Sequence, residues 1–417
     1  MTGSDILQCG LVGENLAHSY SKLIHSKLGN YEYELCSVCP EELENLIRSK
    51  NFIGLNVTMP YKKSVMKYCD ELDSTAKKTG SVNTLAFENG ALKGYNTDYF
   101  GLSYALKRSG VSLKNKKVIV LGNGGVSATV QVLARDLGAK EILVCSSRSS
   151  FNYKNVYSRP DAEFIINATP VGMYPRSEEK LIDLTKFKNL SGFADLIYNP
   201  FYTRLMLDAK KMKVPVCGGL AMLVAQAKAS SEIFMKAKLD DSLIEKIIKE
   251  IYFKMANIVL IGMPGSGKTT IAKILSEKTG KKFIDSDFEI EKFCGFSIPE
   301  IFKTKGENEF RETENEILKK ISKEIGIVLS TGGGAVLAEN AYEILKQNAK
   351  IYWIKRDLSL LEMAGRPLSK SRAEIEKIHE KRRPIYEKFC DKIIENSGLA
   401  ENSAQKILED FYENSCY

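Results

Sequence analysis

The sequence predicts an α/β protein with several lobes and parallel β-sheets. Apolar runs at Lys117–Leu121 and Ile258–Ile261 are typical of buried parallel strands, and each leads directly into a glycine-rich turn and a helical stretch. The chain has 417 residues, enough for about two or three domains. Because the two strand–turn–helix units lie far apart along the chain, we place them in different domains.

The composition indicates a globular protein that acts on small anions. Hydrophobic residues make up 44% of the chain and charged residues 27%, which argues against a disordered chain. No apolar run reaches the ~18 residues of a membrane helix or resembles a secretory signal, so we expect a cytoplasmic protein without a membrane partner. The net charge is +8, but aromatic and basic residues do not interleave, so we expect small-molecule partners and no nucleic acid.

Histidines and cysteines form no pattern that suggests a metal site or a catalytic triad. The three histidines, His18, His25 and His379, are dispersed. Nine cysteines are scattered, and the pair Cys36 and Cys39 has no second pair, which disfavours zinc and favours a reduced compartment. Catalysis should therefore depend on lysine, aspartate, arginine and bound cofactors.

The first hundred residues predict an α/β unit of their own. Leu7–Val12 and Gly54–Thr58 are typical of strands, and Glu41–Arg48 is typical of a helix. Polar residues collect where strands or loops would end, and individually each group could be only a turn or a cap. Together they supply hydroxyls, amides, a lysine and an aspartate suited to a polyhydroxylated ring; the groups are His18–Ser21, Asn56–Lys62, Ser81–Thr84 and Gly94–Asp98.

The first glycine-rich turn predicts a dinucleotide site. Gly122 permits the tight turn, Gly124 lets the backbone approach a pyrophosphate, and Ser127 is small enough for the helix to pack on the strand. The next strand, Glu141–Cys145, leads to Arg148, where an NAD site usually has an acid. Because an arginine pairs with a 2′-phosphate, NADP is favoured. The alternatives are a tight turn without a ligand and a solvated Arg148.

These motifs resemble shikimate dehydrogenase over about residues 6–236. The resemblance rests on seven motifs: NVTxPxK at Asn56–Lys62, VNT at Val82–Thr84, NTD at Asn96–Asp98, GxGG at Gly122–Gly125, NATxxGM at Asn167–Met173, DxxYNPxxT at Asp195–Thr203 and GGLxMLVxQA at Gly218–Ala227. The segment from Arg148 to Asn167 is short for this family, so we expect that much of a crossover helix is missing from the cofactor lobe.

The resemblance implies that Lys62 and Asp98 are the catalytic pair. An ammonium group beside a ring ketone stabilises the charge that hydride addition creates and can supply the proton. A purely structural ion pair is the alternative. The implied substrate residues are Ser19, Ser21, Thr58, Asn83, Asp98, Tyr198 and Gln226, and the implied NADP residues are Gly122, Asn123, Gly124, Gly125, Val126, Ser147, Arg148, Ser149, Leu196 and Gly219.

The second glycine-rich turn, Gly262-x4-Gly267-Lys268-Thr269, predicts a loop that binds the phosphates of a nucleoside triphosphate. Lys268 should reach the β- and γ-phosphates, and the Thr269 hydroxyl should take Mg²⁺. The preceding stretch Asp240–Lys254 has helical spacing, so we place the join between the two halves near residues 253–256.

The second half spans about 160 residues, a size that suits a small-metabolite kinase, and several later residues could bind the acceptor. Asp285 and Asp287 follow the strand Lys282–Ile284, and Arg311 and Glu314 share one helix face at a spacing of three. Gly332–Gly334 follows the strand Ile327–Ser330. Further arginines come later, one in Arg366–Leu368 and two, Arg382 and Arg383, in Arg382–Tyr386.

This set resembles shikimate kinase over about residues 257–396. The resemblance assigns Asp287, Arg311, Gly333 and Arg382 to shikimate, Asp285 to Mg²⁺ through water, and Arg366 to a lid that faces ATP. The lid segment is shorter than is usual in the family. Exposed helix charges are the alternative for Arg311 and Arg382. The catalytic residues would be Lys268 and Asp287, and the ATP residues would be Gly265, Ser266, Gly267, Lys268, Thr269, Thr270 and Arg366.

The combined prediction is a bifunctional α/β enzyme. Residues 1–101 would form an α/β substrate lobe, completed by about 219–252; residues 102–218 would form a Rossmann-type NADP lobe, and 256–417 a P-loop kinase domain with a parallel sheet. The first half would reduce 3-dehydroshikimate to shikimate with NADPH, and the second would phosphorylate the 3-hydroxyl of shikimate with ATP and Mg²⁺. The alternatives are a quinate/shikimate dehydrogenase fused to a weakened kinase and a non-catalytic regulator that binds shikimate.

Overall fold

Contacts divide the protein into two units. A computed structural model describes residues 9–14, 16, 19–361 and 372–413. The first unit runs up to Tyr198 and includes Leu205–Ile248, and the second contains Asn199–Arg204 and the residues from Lys249 onward. The main boundary lies within helix α8 (Ser242–Met255), close to the join that the sequence suggested near residues 253–256.

The first unit begins with a mixed six-stranded sheet in the order β2-β1-β3-β5-β6-β4. Strands β1 and β3 are parallel neighbours, so their carboxyl ends lie at the same edge of the sheet. Helix α2 is amphipathic, and its buried Leu43 and Ile47 share a core with Leu55 and Val57 of β3. The elements are β1 (Cys9–Gly13), α1 (Ser21–Leu28), β2 (Tyr33–Ser37), α2 (Pro40–Ser49), β3 (Gly54–Val57), β4 (Glu71–Leu72), α3 (Ser74–Thr79), β5 (Thr84–Glu88), β6 (Ala91–Tyr95) and α4 (Asp98–Arg108).

A second, fully parallel sheet follows in the first unit, in the order β11-β10-β9-β7-β8. Strands β7 and β8 have the bounds predicted from the sequence. Between β8 and β9 the chain forms only a short 3₁₀ turn, Val156–Ser158, so the expected loss of a crossover helix is confirmed. The elements are β7 (Lys117–Leu121), α5 (Gly125–Asp136), β8 (Glu141–Cys145), β9 (Phe164–Asn167), β10 (Gly192–Asp195), α6 (Arg204–Lys211), β11 (Val216–Cys217) and α7 (Gly219–Met235).

The second unit contains a parallel five-stranded sheet in the order β13-β14-β12-β15-β16. Its central strand β12 is buried at every residue, as expected of an apolar run with neighbours on both sides. The elements are β12 (Asn257–Ile261), α9 (Lys268–Thr279), β13 (Lys282–Asp285), α10 (Ser286–Cys294), α11 (Ile298–Thr304), α12 (Gly306–Ile321), β14 (Ile327–Ser330), α13 (Ala341–Lys346), β15 (Ala349–Lys355), α14 (Arg372–Phe389), β16 (Lys392–Glu395) and α15 (Ala400–Glu413).

The strand order of this last sheet brings the predicted phosphate loop and acidic residues to one edge. Strand β14 lies between β12 and β13, and Ser330 at its end pairs with Leu260 on one side and Asp285 on the other. Because all three strands are parallel, the segments that follow them leave the sheet from the same edge. The predicted α/β fold with parallel sheets is confirmed, and the site residues of this unit gather at that carboxyl edge.

Candidate active sites

Lys62 and Asp98 form a close ion pair in the first unit. Lys62 lies in the turn after β3, and Asp98 is the first residue of α4. The Nζ atom of Lys62 lies 2.6 Å from Oδ2 of Asp98, and the two side chains are 16% and 6% exposed. A Cβ atom placed on Gly125, the first residue of α5, would lie 3.5 Å from Cβ of Lys62. The lysine therefore stands beside the start of the predicted cofactor helix.

Asn83 connects the carboxylate of this pair to two other side chains. Its Nδ2 atom lies 3.1 Å from Oδ1 of Asp98, 2.9 Å from Oγ1 of Thr97 and 3.2 Å from Oε1 of Gln226. Its Oδ1 atom accepts a hydrogen bond of 2.7 Å from the backbone N–H of Thr97. The structure thus brings Asn83, Asp98 and Gln226 together, as the sequence predicted, and adds Thr97.

Of the remaining predicted substrate residues of this unit, Ser19 and Ser21 lie in the segment after β1, Thr58 follows β3 and Tyr198 follows β10. Thr58 directly follows β3, and its N–H donates to the carbonyl oxygen of Val12 over 2.9 Å. The Ser19 hydroxyl accepts a hydrogen bond of 3.2 Å from the N–H of Ser21, the first residue of α1. The ring of Tyr198 lies 5.2 Å from that of Tyr20, and burial raises the pKa of the Tyr198 hydroxyl.

The turn after β7 has the geometry that a dinucleotide pyrophosphate requires. Gly122 has a φ of +101°, a conformation that favours glycine, and its N–H donates to the carbonyl oxygen of Cys145 over 2.8 Å. The Ser127 hydroxyl donates to the Gly122 carbonyl oxygen over 2.8 Å and fixes the turn on the helix. A Cβ atom on Gly124 would have no neighbour within 4 Å, so space for a ligand remains at the start of α5.

In the loop after β8, Ser149 and Arg148 differ in their contacts. The Ser149 hydroxyl donates to the carbonyl oxygens of Ser146 and Phe151 and accepts from the Ser146 N–H, so it closes the loop. Ser147 and Arg148 are exposed. In the part of the chain that the structure describes, Arg148 makes no hydrogen bond or ion pair, which leaves its guanidinium available to an anion. The cofactor contacts of Ser147, Arg148 and Ser149 stay predictions, and Ser149 also shapes the loop.

Two further predicted cofactor residues of the first unit lie against one another. Leu196 follows β10, and its N–H donates to the carbonyl oxygen of Asn167 over 3.1 Å. Gly219 is the first residue of α7, and a Cβ atom there would lie 2.3 Å from the carbonyl oxygen of Leu196. A side chain at position 219 would collide with this oxygen, so only glycine fits there. Asn123 and Val126, the other predicted cofactor residues, flank Gly124 and Gly125 in the turn after β7.

In the second unit, the loop after β12 has the form of a phosphate-binding loop. Lys268, the first residue of α9, donates from Nζ to the carbonyl oxygens of Gly262 and Met263 over 3.0 and 2.9 Å. The Thr269 hydroxyl lies 2.9 Å from Oδ2 of Asp285 and 3.1 Å from Oγ of Ser330. Three oxygen-bearing side chains therefore converge beside the loop, a donor set that suits a hard cation such as Mg²⁺. Gly265, Ser266, Gly267 and Thr270 complete the predicted loop contacts.

Asp287 lies one residue beyond the start of α10, where the Asp285 carboxylate accepts its N–H over 3.0 Å. A Cβ atom on Gly332 would lie 2.4 Å from Oδ1 of Asp287, so the glycine segment leaves room for that carboxylate. Burial and the neighbouring charge of Asp285 raise the pKa of Asp287 to about 6. Its carboxyl group can therefore gain or lose a proton near neutral pH.

Two arginines approach the same glycine segment. Arg382 donates from Nη1 to the Gly333 carbonyl oxygen over 2.8 Å, and the Tyr386 hydroxyl donates to that same oxygen over 2.5 Å. Arg311 donates from Nη1 to Oε2 of Glu314 over 2.6 Å, and Glu314 is buried. Arg382 is 6% exposed and the Arg311 side chain is 20% exposed. The alternative for Arg311 and Arg382 was that they are exposed charges on a helix. Their low exposure argues against it.

A cavity of about 380 Å³ joins the phosphate loop to these acid and arginine groups. Lys268, Thr269 and Asp285 line one part of it, and Arg311 and Arg382 line another. The cavity therefore offers a place for a polyphosphate and a second place for an anionic acceptor with hydroxyl groups. Its other lining residues include Met263, Pro264, Gly265, Asp287, Phe310, Glu314, Thr331, Gly332, Gly333 and Gly334.

Comparisons with known proteins identify both units. The family model for the shikimate dehydrogenase substrate binding domain matches residues 11–85, and the model for shikimate kinase matches residues 264–412. A shikimate dehydrogenase (NADP(+)) of Clostridium beijerinckii is 37% identical over 253 residues, which cover 56% of this chain and 94% of the relative. The chain belongs to the shikimate dehydrogenase family.

Solved structures support this family membership over the same half of the chain. Shikimate dehydrogenase 1 of Peptoclostridium difficile is 33% identical, with a TM-score of 0.55. The match covers 59% of this chain and 97% of the solved chain. A chorismate mutase/shikimate 5-dehydrogenase fusion protein of Clostridium acetobutylicum is 35% identical, with a TM-score of 0.56. The match covers 58% of this chain and 96% of the fusion protein's chain. The prediction of a shikimate dehydrogenase joined to a shikimate kinase domain is confirmed, as are NADP and ATP as its cofactors.

Some predictions concern residues that the structure does not describe. Arg366 and most of the lid segment belong to residues 362–371, and His18 also lies outside the described residues. Within the described residues, no group of three or more histidine, cysteine, aspartate or glutamate side chains could hold a metal, and none of the helices is long and apolar enough to cross a membrane.

Sequence reasoning missed two residues of the sites. Thr97 lies inside the NTD motif, where its position between Asn96 and Asp98 was the available signal. Ser330 was assigned only to a strand, although its hydroxyl lies beside that of Thr269. A hydroxyl at the carboxyl end of a strand next to a phosphate loop could have indicated it.

Proposed function

We propose that the chain reduces 3-dehydroshikimate to shikimate with NADPH and then phosphorylates the 3-hydroxyl of shikimate with ATP. The observation that carries this proposal is that the Lys62–Asp98 pair in one unit and the cavity of the other each suit a ring acid with hydroxyl groups. The product of the first reaction is the acceptor of the second. Small anionic metabolites are the partners that both sites suit.

In the first site, the side chains donate a proton to the substrate and hold its ring in position. NADPH, when bound, supplies the hydride that adds to the carbonyl carbon. Lys62 donates a proton from Nζ to the developing alkoxide oxygen, and Asp98 keeps the amine oriented through its contact of 2.6 Å. Asn83 holds the other oxygen of Asp98, so the carboxylate cannot rotate freely. Ser19, Ser21, Thr58, Tyr198 and Gln226 would bind the remaining polar groups of the ring acid.

The cofactor preference depends on Arg148 in this proposal. Its exposed guanidinium lies in the loop after β8, where the adenosine ribose binds in dinucleotide folds of this type. A 2′-phosphate would gain a charge-assisted hydrogen bond there, whereas a 2′-hydroxyl would gain little. The Gly122–Gly125 turn would hold the pyrophosphate, and Leu196 and Gly219 would lie beside the nicotinamide end.

In the second site, the residues position the acceptor and neutralise charge. Arg311 and Arg382 bind the carboxylate of shikimate, and Asp287 orients the attacking hydroxyl and accepts its proton. Lys268 is held at the phosphate loop, where it would balance the charge of the transferred group. Thr269 and Asp285 would hold Mg²⁺, which neutralises phosphate charge when bound.

A coupled assay tests the proposed function. The full chain is supplied with 3-dehydroshikimate, NADPH, ATP and Mg²⁺, and products are identified by mass spectrometry. We expect NADPH oxidation and the appearance of shikimate 3-phosphate, with accumulation of shikimate when ATP is omitted. Separate reactions with quinate and with NAD test the alternative dehydrogenase. Absence of shikimate 3-phosphate when shikimate itself is supplied with ATP would refute the kinase half.

A further inference from the structure

Asn396 contacts the phosphate-binding loop and is not among the residues that line the cavity described above. It directly follows β16 and is 4% exposed. Its Nδ2 atom donates to the carbonyl oxygen of Ser266 over 2.8 Å. A Cβ atom on Gly267 would lie 2.6 Å from the same nitrogen. The side-chain amide is therefore packed directly against the Ser266–Gly267 peptide.

This contact sets the direction of one backbone donor of the loop. The Ser266–Gly267 peptide is trans, so its carbonyl group and its N–H point in opposite directions. Because Asn396 binds the carbonyl oxygen, the Gly267 N–H faces away from Asn396. Among the residues that the structure describes, none accepts a hydrogen bond from this N–H. A donor left open in this way is what a phosphate-binding loop presents to its ligand.

The orientation of the Asn396 amide is itself fixed by the last helix of the chain. Its Oδ1 atom accepts a hydrogen bond of 3.0 Å from the hydroxyl of Ser403, a buried residue of α15. Its backbone N–H donates to the carbonyl oxygen of Lys355 over 2.7 Å. Because Ser403 occupies the amide oxygen, the amide nitrogen is directed at the loop. A chain of hydrogen bonds thus leads from α15 to the Ser266 carbonyl.

We propose that Asn396 is a positioning residue for ATP. Through the Ser266 carbonyl it holds the loop in the conformation in which the Gly267 N–H meets a phosphate oxygen, and Ser403 gives α15 a part in nucleotide binding. The proposal rests on the kinase function proposed above for the same loop. It concerns residues that neither touch shikimate nor lie in the glycine-lysine-threonine motif.

The test measures nucleotide and acceptor binding separately in the full chain. Asn396→Asp places a carboxylate oxygen against the Ser266 carbonyl oxygen and removes the donor. We expect the affinity for MgADP, measured by calorimetry, to fall roughly tenfold, the scale of a lost hydrogen bond to a buried carbonyl. The affinity for shikimate and the dehydrogenase rate should stay unchanged. Asn402→Asp, the same chemical change at an exposed position of α15, is the matched control and should behave as wild type.

A second variant keeps the test decisive if Asn396→Asp folds poorly. Ser403→Ala removes the partner of the amide oxygen and should weaken MgADP binding by a smaller factor in the same direction. Unchanged MgADP affinity in both variants overturns the proposal, and so does an equal loss of MgADP and shikimate affinity, which indicates a general structural role. A wild-type chain that binds MgADP but does not phosphorylate shikimate refutes the proposed function while leaving this positioning role testable by binding.

Discussion

Nζ of Lys62 and Oδ2 of Asp98 lie 2.6 Å apart, although the two residues come from different elements of the first unit. The lysine follows β3 and the aspartate begins α4. The pair is largely screened from water, which strengthens the attraction between the two charges, and it lies next to Gly125 at the start of α5. A purely structural ion pair would not need this position beside the cofactor turn.

Substitution of Lys62 should separate the two activities. We expect Lys62→Ala to lower the NADPH-dependent rate by about 10²–10⁴-fold, the usual contribution of a positioned acid. The ATP-dependent rate with supplied shikimate should stay unchanged, because that site lies in the other unit. Steady-state kinetics of both reactions on one sample give the measurement. Lys63→Ala, at the exposed neighbouring lysine, is the control. Equal loss of both activities would contradict the two-site proposal.

Substitution of Lys268 should give the reverse pattern. Its ammonium group balances phosphate charge in the proposal, so Lys268→Ala should lower the kinase rate by about 10²–10³-fold. The dehydrogenase rate should remain that of wild type. Lys273→Ala, at an exposed lysine of the same helix, controls for the loss of a positive charge. Persistent ATP-dependent phosphorylation of shikimate in Lys268→Ala would remove the role assigned to this residue.

Arg148 should determine the preference for NADP over NAD. Arg148→Ala should weaken NADPH binding by ~1–3 kcal/mol, the range of a charge-assisted hydrogen bond. The effect should appear as a higher KM for NADPH with little change for NADH, since NADH has no 2′-phosphate. The exposed Arg135 on α5 provides a control variant, Arg135→Ala. An unchanged ratio of the two KM values would show that Arg148 is only a solvated charge.

The kinase reaction should lose activity in mildly acidic solution. The pKa of Asp287 is raised to about 6, first by burial and then by the charge of Asp285. Since the proposed role needs the ionised carboxylate, kcat/KM for shikimate should fall on the acid side, at a pH above the 3.8 of an ordinary aspartate because Asp287 is buried. Glu291 also raises this pKa, so Glu291→Gln should move the acidic limb to lower pH. A limb near 3.8, the ordinary value, would contradict the assignment.

Glu314 should act on shikimate binding through Arg311. It is buried, and its Oε2 atom lies 2.6 Å from Nη1 of that arginine. We expect Glu314→Gln to raise the KM for shikimate roughly tenfold, because the neutral amide holds the guanidinium less firmly. The KM for ATP should not change. Glu312→Gln, at an exposed position on the same helix, is the matched control. A parallel rise in both KM values would indicate a general structural effect.

Sequence patterns predicted most of the fold because the informative segments are local. The strands before the two glycine-rich turns are apolar runs, and their periodicity and glycine spacing are visible without tertiary information. The missing crossover helix could also be inferred, from the length of the segment after Arg148. The Lys62–Asp98 pair and the residues that line the cavity of the second unit were predicted from motifs, because each motif keeps its own residues within a few positions.

The details that sequence reasoning missed depend on contacts between distant segments. Ser330 meets Thr269 only because β14 lies beside β12 in the sheet. Asn396 reaches Ser266 across more than a hundred residues of chain. Strand order and side-chain direction decide such pairs, and neither can be read from a local pattern.

The short connection after β8 also has a consequence for aggregation. β8 is one of the two edge strands of its sheet, and most of its residues are only partly buried. An open edge can pair with a strand of another molecule. Arg159 binds Glu141 at the start of β8 over 2.9 and 2.5 Å and also contacts Asp161, which pairs with Lys117. These charges disfavour pairing of β8 with a strand of another molecule. Because salt screens charges, self-association through this edge should increase with salt concentration.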